Sequence, residues 1–159
     1  LFYKALKIDK MVHFSRNITK AILITILIFT MSNGCKDDYT SVIPYVYVDM
    51  PVVPTNYIEL NIPGGSVYFP NAGYGGIILF RDLVDSSNPF LAYDAACTYE
   101  VSSTVRVTAK DDSGIATCPA CGSQFILFSG NGAPIKGPAS EPLKQYHTSF
   151  VGGRIIVRN

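Results

Sequence analysis

The 159 residues allow one domain, or one domain with a processed leader, and a formal net charge of +1 with 16% charged residues offers no electrostatic case for nucleic-acid binding or a polybasic membrane patch. Hydrophobic residues reach 48%, enough for a core, and the supply of Tyr (10), Phe (9), Gly (13) and Pro (10) favours β-structure with many turns. The four cysteines, at positions 35, 97, 118 and 121, are too few and too unevenly placed for a disulfide-stapled miniprotein.

Met11 is the first methionine, and translation is expected to start there. Arg16 and Lys20 supply a positive n-region, residues 21–31 (AILITILIFTM) an apolar run, and Ser32-Asn33-Gly34-Cys35 a cleavage site. Eleven residues make roughly 16 Å of helix against a hydrocarbon core of about 30 Å, so the run reads as a signal peptide and not as a membrane span. Ser-Asn-Gly-Cys resembles a lipobox, which implies that Cys35 is acylated and becomes the mature N-terminus. Each acyl CH₂ buried in a membrane would contribute about 0.8 kcal/mol to the tether. Lys36-Asp37-Asp38-Tyr39 follows at once and resembles the surface-export signal of lipoproteins in one phylum of Gram-negative bacteria. The expectation is an outer-membrane lipoprotein displayed at the cell surface, or otherwise held on the periplasmic face. The chain then divides into a signal peptide (1–34), a lipidated N-terminus with a proline-rich tether (35–54) and a folded domain (55–159).

Pro44, Pro51 and Pro54 forbid a helix in the tether and predict an extended segment running into a first edge strand. Residues 56–62 (NYIELNI) alternate, with Tyr57, Glu59 and Asn61 on one face and Ile58, Leu60 and Ile62 on the other, which predicts a strand closed by Pro63-Gly64-Gly65. Short strands are expected at 66–70, at 77–81 (IILFR, buried) and at 90–93, with turns at 73–76 and 85–89. Residues 101–110 (VSSTVRVTAK) alternate again before a turn at 111–114. A strand at 124–128 ends in the hairpin signal Ser129-Gly130-Asn131-Gly132, and 144–150 with 154–158 form a last hairpin around Gly152-Gly153. With no helix of core length between these strands, the domain is an all-β sandwich or small barrel.

Three cysteines remain in the domain. Cys118-Pro119-Ala120-Cys121-Gly122-Ser123 has the shape of a metal knuckle, in which a tight turn aims two thiolates at one ion. Cys97, on a separate loop, strengthens the metal case, and an odd count leaves one thiol over from any single disulfide.

These two loops resemble those of the Rieske domain family, which carries Cys-Thr-His on one loop and Cys-Pro-x-His-Gly-Ser on the next, about twenty residues on. Tyr93-Asp94-Ala95-Ala96-Cys97-Thr98-Tyr99 is similar to the first, and residues 118–125 (CPACGSQF) are similar to the second. Gly137-Pro138-Ala139-Ser140-Glu141-Pro142-Leu143 is similar to the proline-rich loop that covers the family's cluster, and residues 146–157 to its closing strands. The resemblance spans roughly 55–159. It implies a Rieske-like antiparallel β-sandwich with a small rubredoxin- or zinc-ribbon-like two-loop subdomain, and a [2Fe–2S] electron-transfer centre. Ser123 and the loop of Gly137 and Pro138 would support the ligands from behind.

The departures bear on the cofactor. In the family two cysteines hold one iron and two histidines the other, which raises the potential. Cys97 and Cys118 stand at the cysteine positions, but Tyr99 and Cys121 stand where histidines belong. The two histidines of the chain, His13 and His147, fall in the leader and in the closing hairpin. Ala120 and Ser102 occupy the places of a disulfide found in some members, and Phe125 replaces a tyrosine that hydrogen-bonds a ligand sulfur. Three occupancies follow: an unusual [2Fe–2S] cluster on Cys97, Tyr99, Cys118 and Cys121; zinc on the three thiolates; or no metal, with two cysteines oxidised.

The leader weighs against the cluster. It lacks the arginine pair of the route that exports folded proteins, and an unfolded chain cannot carry a cluster across a membrane. The resemblance thus implies a membrane-anchored electron-transfer module whose cluster is lost or changed. The alternative is a zinc-binding or metal-free surface domain that reuses the fold for binding or structure. No Ser-His-Asp set, metal-binding histidine pair or phosphate loop is present, so no enzymatic role beyond electron transfer is expected; the redox partner or surface ligand is left open.

Overall fold

The computed structural model describes residues 40–110 and 113–159. The leader, Cys35, residues 36–39 and the acids Asp111 and Asp112 lie outside the described residues. Residues 40–159 form one compact unit. Among the described residues no helix is long and apolar enough to cross a membrane.

Among the described residues, ten strands make two antiparallel sheets. The larger runs β1-β10-β9-β4-β3-β2, with β1 at Asp49–Val52, β2 at Ser66–Phe69, β3 at Ile77–Arg81, β4 at Phe90–Asp94, β9 at Gln145–Val151 and β10 at Arg154–Arg158. The smaller runs β5-β6-β7-β8, with β5 at Thr108–Ala109, β6 at Ile115–Thr117, β7 at Gln124–Ile126 and β8 at Pro134–Lys136. The fold is all-β, and its only helical pieces among the described residues are single 3₁₀ turns.

β3 explains the unbroken apolar run IILF. Ile77 and Leu79 face one core, with Val48, Val52, Leu60, Phe90, Tyr146, Ile155 and Val157, while Ile78 and Phe80 face the other. A strand covered on both sides loses the polar alternation of a half-exposed one. The second core joins β3 and β4 to the small sheet through Tyr93, Val107, Ala116, Phe125, Leu127 and Leu143, and it is here that Cys97 and Cys118 are buried. Burying the methylenes of such side chains contributes about 0.8 kcal/mol each.

Two expectations are corrected. Residues 56–62 are not a strand but part of two 3₁₀ turns, Pro54–Asn56 and Ile58–Asn61. Pro54 opens the first with its φ preset, and the 3₁₀ repeat of three puts Tyr57 and Leu60 on the core side. Leu60 is 1% exposed while Ile58 and Ile62 are 75% and 52% exposed, so the three do not share a buried face. Residues 101–110 hold only β5. Before it, Ser102 Oγ accepts from the backbone N–H of Thr104, a local turn that competes with extended pairing. Residues 105–107 then pair with the first cysteine loop, Val107 N–H donating to Ala95 and Cys97 N–H to Val105. The proline-rich stretch supplies an edge strand, β1 on β10, and Ile43, Val48 and Val52 are at most 4% exposed. β6 and β8, three residues each, carried no readable alternation and were not expected.

Candidate metal centre

Two loops at one end of the small sheet bring the cysteines together. The first leaves β4 and carries Ala95, Ala96 and Cys97; the second links β6 to β7 and carries Cys118 and Cys121. The second is a knuckle: Gly122 N–H donates to Cys118 O at 2.9 Å and Cys118 N–H to Ser123 O at 2.8 Å. Gly122 closes it at φ 74°, the left-handed conformation that glycine adopts without a Cβ penalty.

The three sulfurs lie within 4.8 Å of one another, and Cys97 Sγ is 3.6 Å from Cys121 Sγ. Cys97 and Cys118 are fully buried, whereas Cys121 is partly exposed at the rim. Ser123, itself buried, stands behind Cys121 with its Oγ 3.1 Å from the sulfur and accepts the backbone N–H of Ala139 at 3.1 Å. Gly137 lies flat on the same residue: a Cβ there would meet Ser123 Cα at 2.5 Å, so only glycine lets the 137–143 loop close down. Thr98 ties the first loop to that cover by donating to Glu141 O at 2.7 Å. Pro138 is exposed on its outer side.

The thiols are electrostatically unequal. Burial pushes Cys97 up from an ordinary 9.0 to about 12, against hydrogen bonds from the backbone N–H groups of Glu100 and Tyr99. Burial also opposes ionisation of Cys121, but hydrogen bonds from Ser123 and the neighbouring thiols outweigh it and hold Cys121 below its ordinary value. The rim sulfur thus ionises more readily than that of Cys97.

Tyr99 contributes its N–H to Cys97, and its side chain is 55% exposed. His147 is exposed on β9, opposite Arg158. Phe125 is buried in the core beneath the knuckle.

Sequence reading assigned no role to the residue that anchors the first loop. Asp94, fully buried, accepts the N–H groups of Tyr74, Gly75 and Ala96 at 2.7–2.9 Å and the hydroxyl of Tyr146 at 2.7 Å. Four donors on one carboxylate satisfy a charge that burial would otherwise penalise heavily. The signal was an acid ending an otherwise apolar strand three residues before Cys97.

No protein-family model and no curated protein matches the chain. Among solved structures, the chain is similar to the cyanobacterial plasma-membrane Rieske protein of Synechocystis, at 23% identity over 72% of this chain and 100% of that one, with a TM-score of 0.50. The ferredoxin of carbazole 1,9a-dioxygenase from Nocardioides aromaticivorans aligns at 21% identity over 72% of this chain and 98% of that one, with a TM-score of 0.47. A ferredoxin of Sphingomonas yanoikuyae aligns at 19% identity over 64% and 93%, also at 0.47. The likeness to the cyanobacterial protein shows that the fold is Rieske-like.

Against that fold the donor set does not suit the usual cluster. A [2Fe–2S] centre needs two ligand pairs, one on each iron. Here Cys121, at a position that would serve the second iron, has its sulfur 3.6 Å from Cys97, which would serve the first. For one tetrahedral ion with metal–sulfur bonds of about 2.3 Å, neighbouring sulfurs sit about 3.8 Å apart. The 3.6 Å between Cys97 and Cys121 is close to that spacing, and all three sulfurs lie within 4.8 Å of one another.

Proposed function

We propose that this protein is a lipid-anchored envelope protein whose Rieske-like domain holds one soft metal ion on Cys97, Cys118 and Cys121 in place of a two-iron cluster. The convergence of three sulfurs within 4.8 Å on two braced loops carries the reading. Thiolates favour zinc and iron among common ions, and three protein donors leave a fourth position at the rim open to water or another donor. Zinc there would make the centre structural, pinning two loops; iron would keep the one-electron chemistry associated with the fold. Anchoring rests on the apolar run at 21–31 and on Cys35, and display on Lys36-Asp37-Asp38-Tyr39.

The full chain, purified in detergent under reducing conditions, should take up one zinc or one cobalt ion, cobalt giving thiolate charge-transfer bands that vanish in Cys97→Ser and Cys121→Ser. Reconstitution to two irons and two sulfides per chain would overturn the single-ion reading. For the anchor, surface protease on intact cells should degrade the protein, and protection until lysis would refute display.

A further inference from the structure

We infer that, when metal-free, Cys121 and Cys97 act as a dithiol centre that exchanges with small-molecule disulfides, Cys121 meeting the substrate and Cys97 resolving the adduct. The inference uses the sulfurs of the metal site but does not depend on a metal being bound.

The geometry divides the labour. Cys121 is the one cysteine of the three that is not fully buried, and its flanking residues Pro119, Ala120 and Gly122 are exposed. Cys97 is 0% exposed yet its sulfur is 3.6 Å from that of Cys121, so closing by about 1.5 Å reaches the ~2.05 Å disulfide length. The two lie 24 residues apart on loops braced separately, by Asp94 on one side and by Ser123 with Ala139 on the other. Their approach is therefore built into the fold. Cys118 is buried and cannot meet an external disulfide first.

The exchange balances in two steps. Cys121 thiolate attacks one sulfur of a disulfide R–S–S–R; a Cys121–S–R bond forms, the substrate S–S bond breaks, and RS⁻ leaves and takes up a proton from water. Cys97 then attacks Cys121 Sγ, forming the Cys97–Cys121 bond and expelling the second RS⁻, which takes up the proton that Cys97 gives up. Two protein thiols are oxidised, the substrate is reduced to two RSH, and Cys118 remains a thiol. An oxidised pair leaves one thiolate of the three, so a metal held by all of them is released.

The test uses the full chain in detergent, stripped with a chelator, exposed to oxidised glutathione, alkylated and mapped by fragmentation mass spectrometry. The expected wild-type product is a Cys97–Cys121 bond with Cys118 alkylated, and Cys97→Ser should accumulate a glutathione adduct on Cys121. Cys118→Ser should still form the Cys97–Cys121 bond, and Cys121→Ser should oxidise at least tenfold more slowly than wild type. A Cys118–Cys121 bond in the wild type, glutathione trapped on Cys118, or no oxidation would overturn the inference; the wild-type map needs no variant to fold. Zinc uptake by the reduced wild type, measured in parallel, separates the two readings. A Cys97–Cys121 bond without zinc binding refutes only the metal centre, and zinc binding without that bond refutes only the exchange.

Discussion

Tyr146 donates its hydroxyl to Asp94 at 2.7 Å, joining the closing strand β9 to the acid that holds the first cysteine loop. The same carboxylate takes three backbone N–H groups, two from the 74–75 turn and one from Ala96. Asp94→Asn would set an amide NH₂ among those donors, and the loss should be about 2–4 kcal/mol of stability. Tyr146→Phe removes one donor and leaves three, for about 1–2 kcal/mol. Urea unfolding of both variants checks the order; an Asn variant as stable as wild type would remove Asp94 from its anchoring role.

Alkali should unfold the protein through its buried phenols. Burial raises Tyr146 well above its ordinary value, reinforced by Asp94, and burial raises Tyr93 likewise, reinforced by Asp82. Both folded-state values lie above the unfolded one. Their contribution is therefore fully present below about pH 10 and is lost as pH rises through and beyond it, where the unfolded chain has already released protons. Denaturant midpoints from pH 8 to 11.5 should fall above 10, and less steeply in Tyr146→Phe.

Ser123→Ala should affect Cys121 more than it affects the fold. The hydroxyl that favours ionised Cys121 is lost and Ala139 N–H loses its acceptor, at a cost of about 1–2 kcal/mol. At pH 7 a smaller thiolate fraction remains, so the Cys121 alkylation rate should drop and its pH profile move upward. Ser123→Thr should restore the profile. An unchanged profile in the alanine variant would detach Ser123 from the reactivity of Cys121.

The 3₁₀ turn over Ile58–Asn61 makes Leu60 and Ile58 unequal. Leu60→Ala should cost about 2–4 kcal/mol, because the side chain is 1% exposed, and Ile58→Ala less than about 0.5 kcal/mol, because it is 75% exposed. Similar losses from the two would restore the shared strand face that alternation suggested.

Much was legible in the residues themselves. IILFR, the Gly152-Gly153 hairpin and the knuckle glycine each carry a local rule, apolar run, turn chemistry or positive φ, that no distant contact needs to supply. The resemblance of the two cysteine loops and the closing loop led to the right fold for the same reason: their spacing and turn residues are local. That Cys97, Cys118 and Cys121 sit on two loops was equally readable.

Tertiary structure decided the rest. Leu60 lies inward while Ile58 lies outward because a 3₁₀ turn seats on the face of β3, a choice alternation cannot encode. Val105 and Val107 pair with the first cysteine loop because Cys97 and Ala95 offer backbone partners there, 8 to 12 residues away. Above all, sequence spacing could name the three sulfurs but not their separations. The 3.6 Å between Cys97 and Cys121 arises where Asp94 fixes one loop, Ser123 and Gly137 fix the other, and the β4–β7 core sets the gap between them.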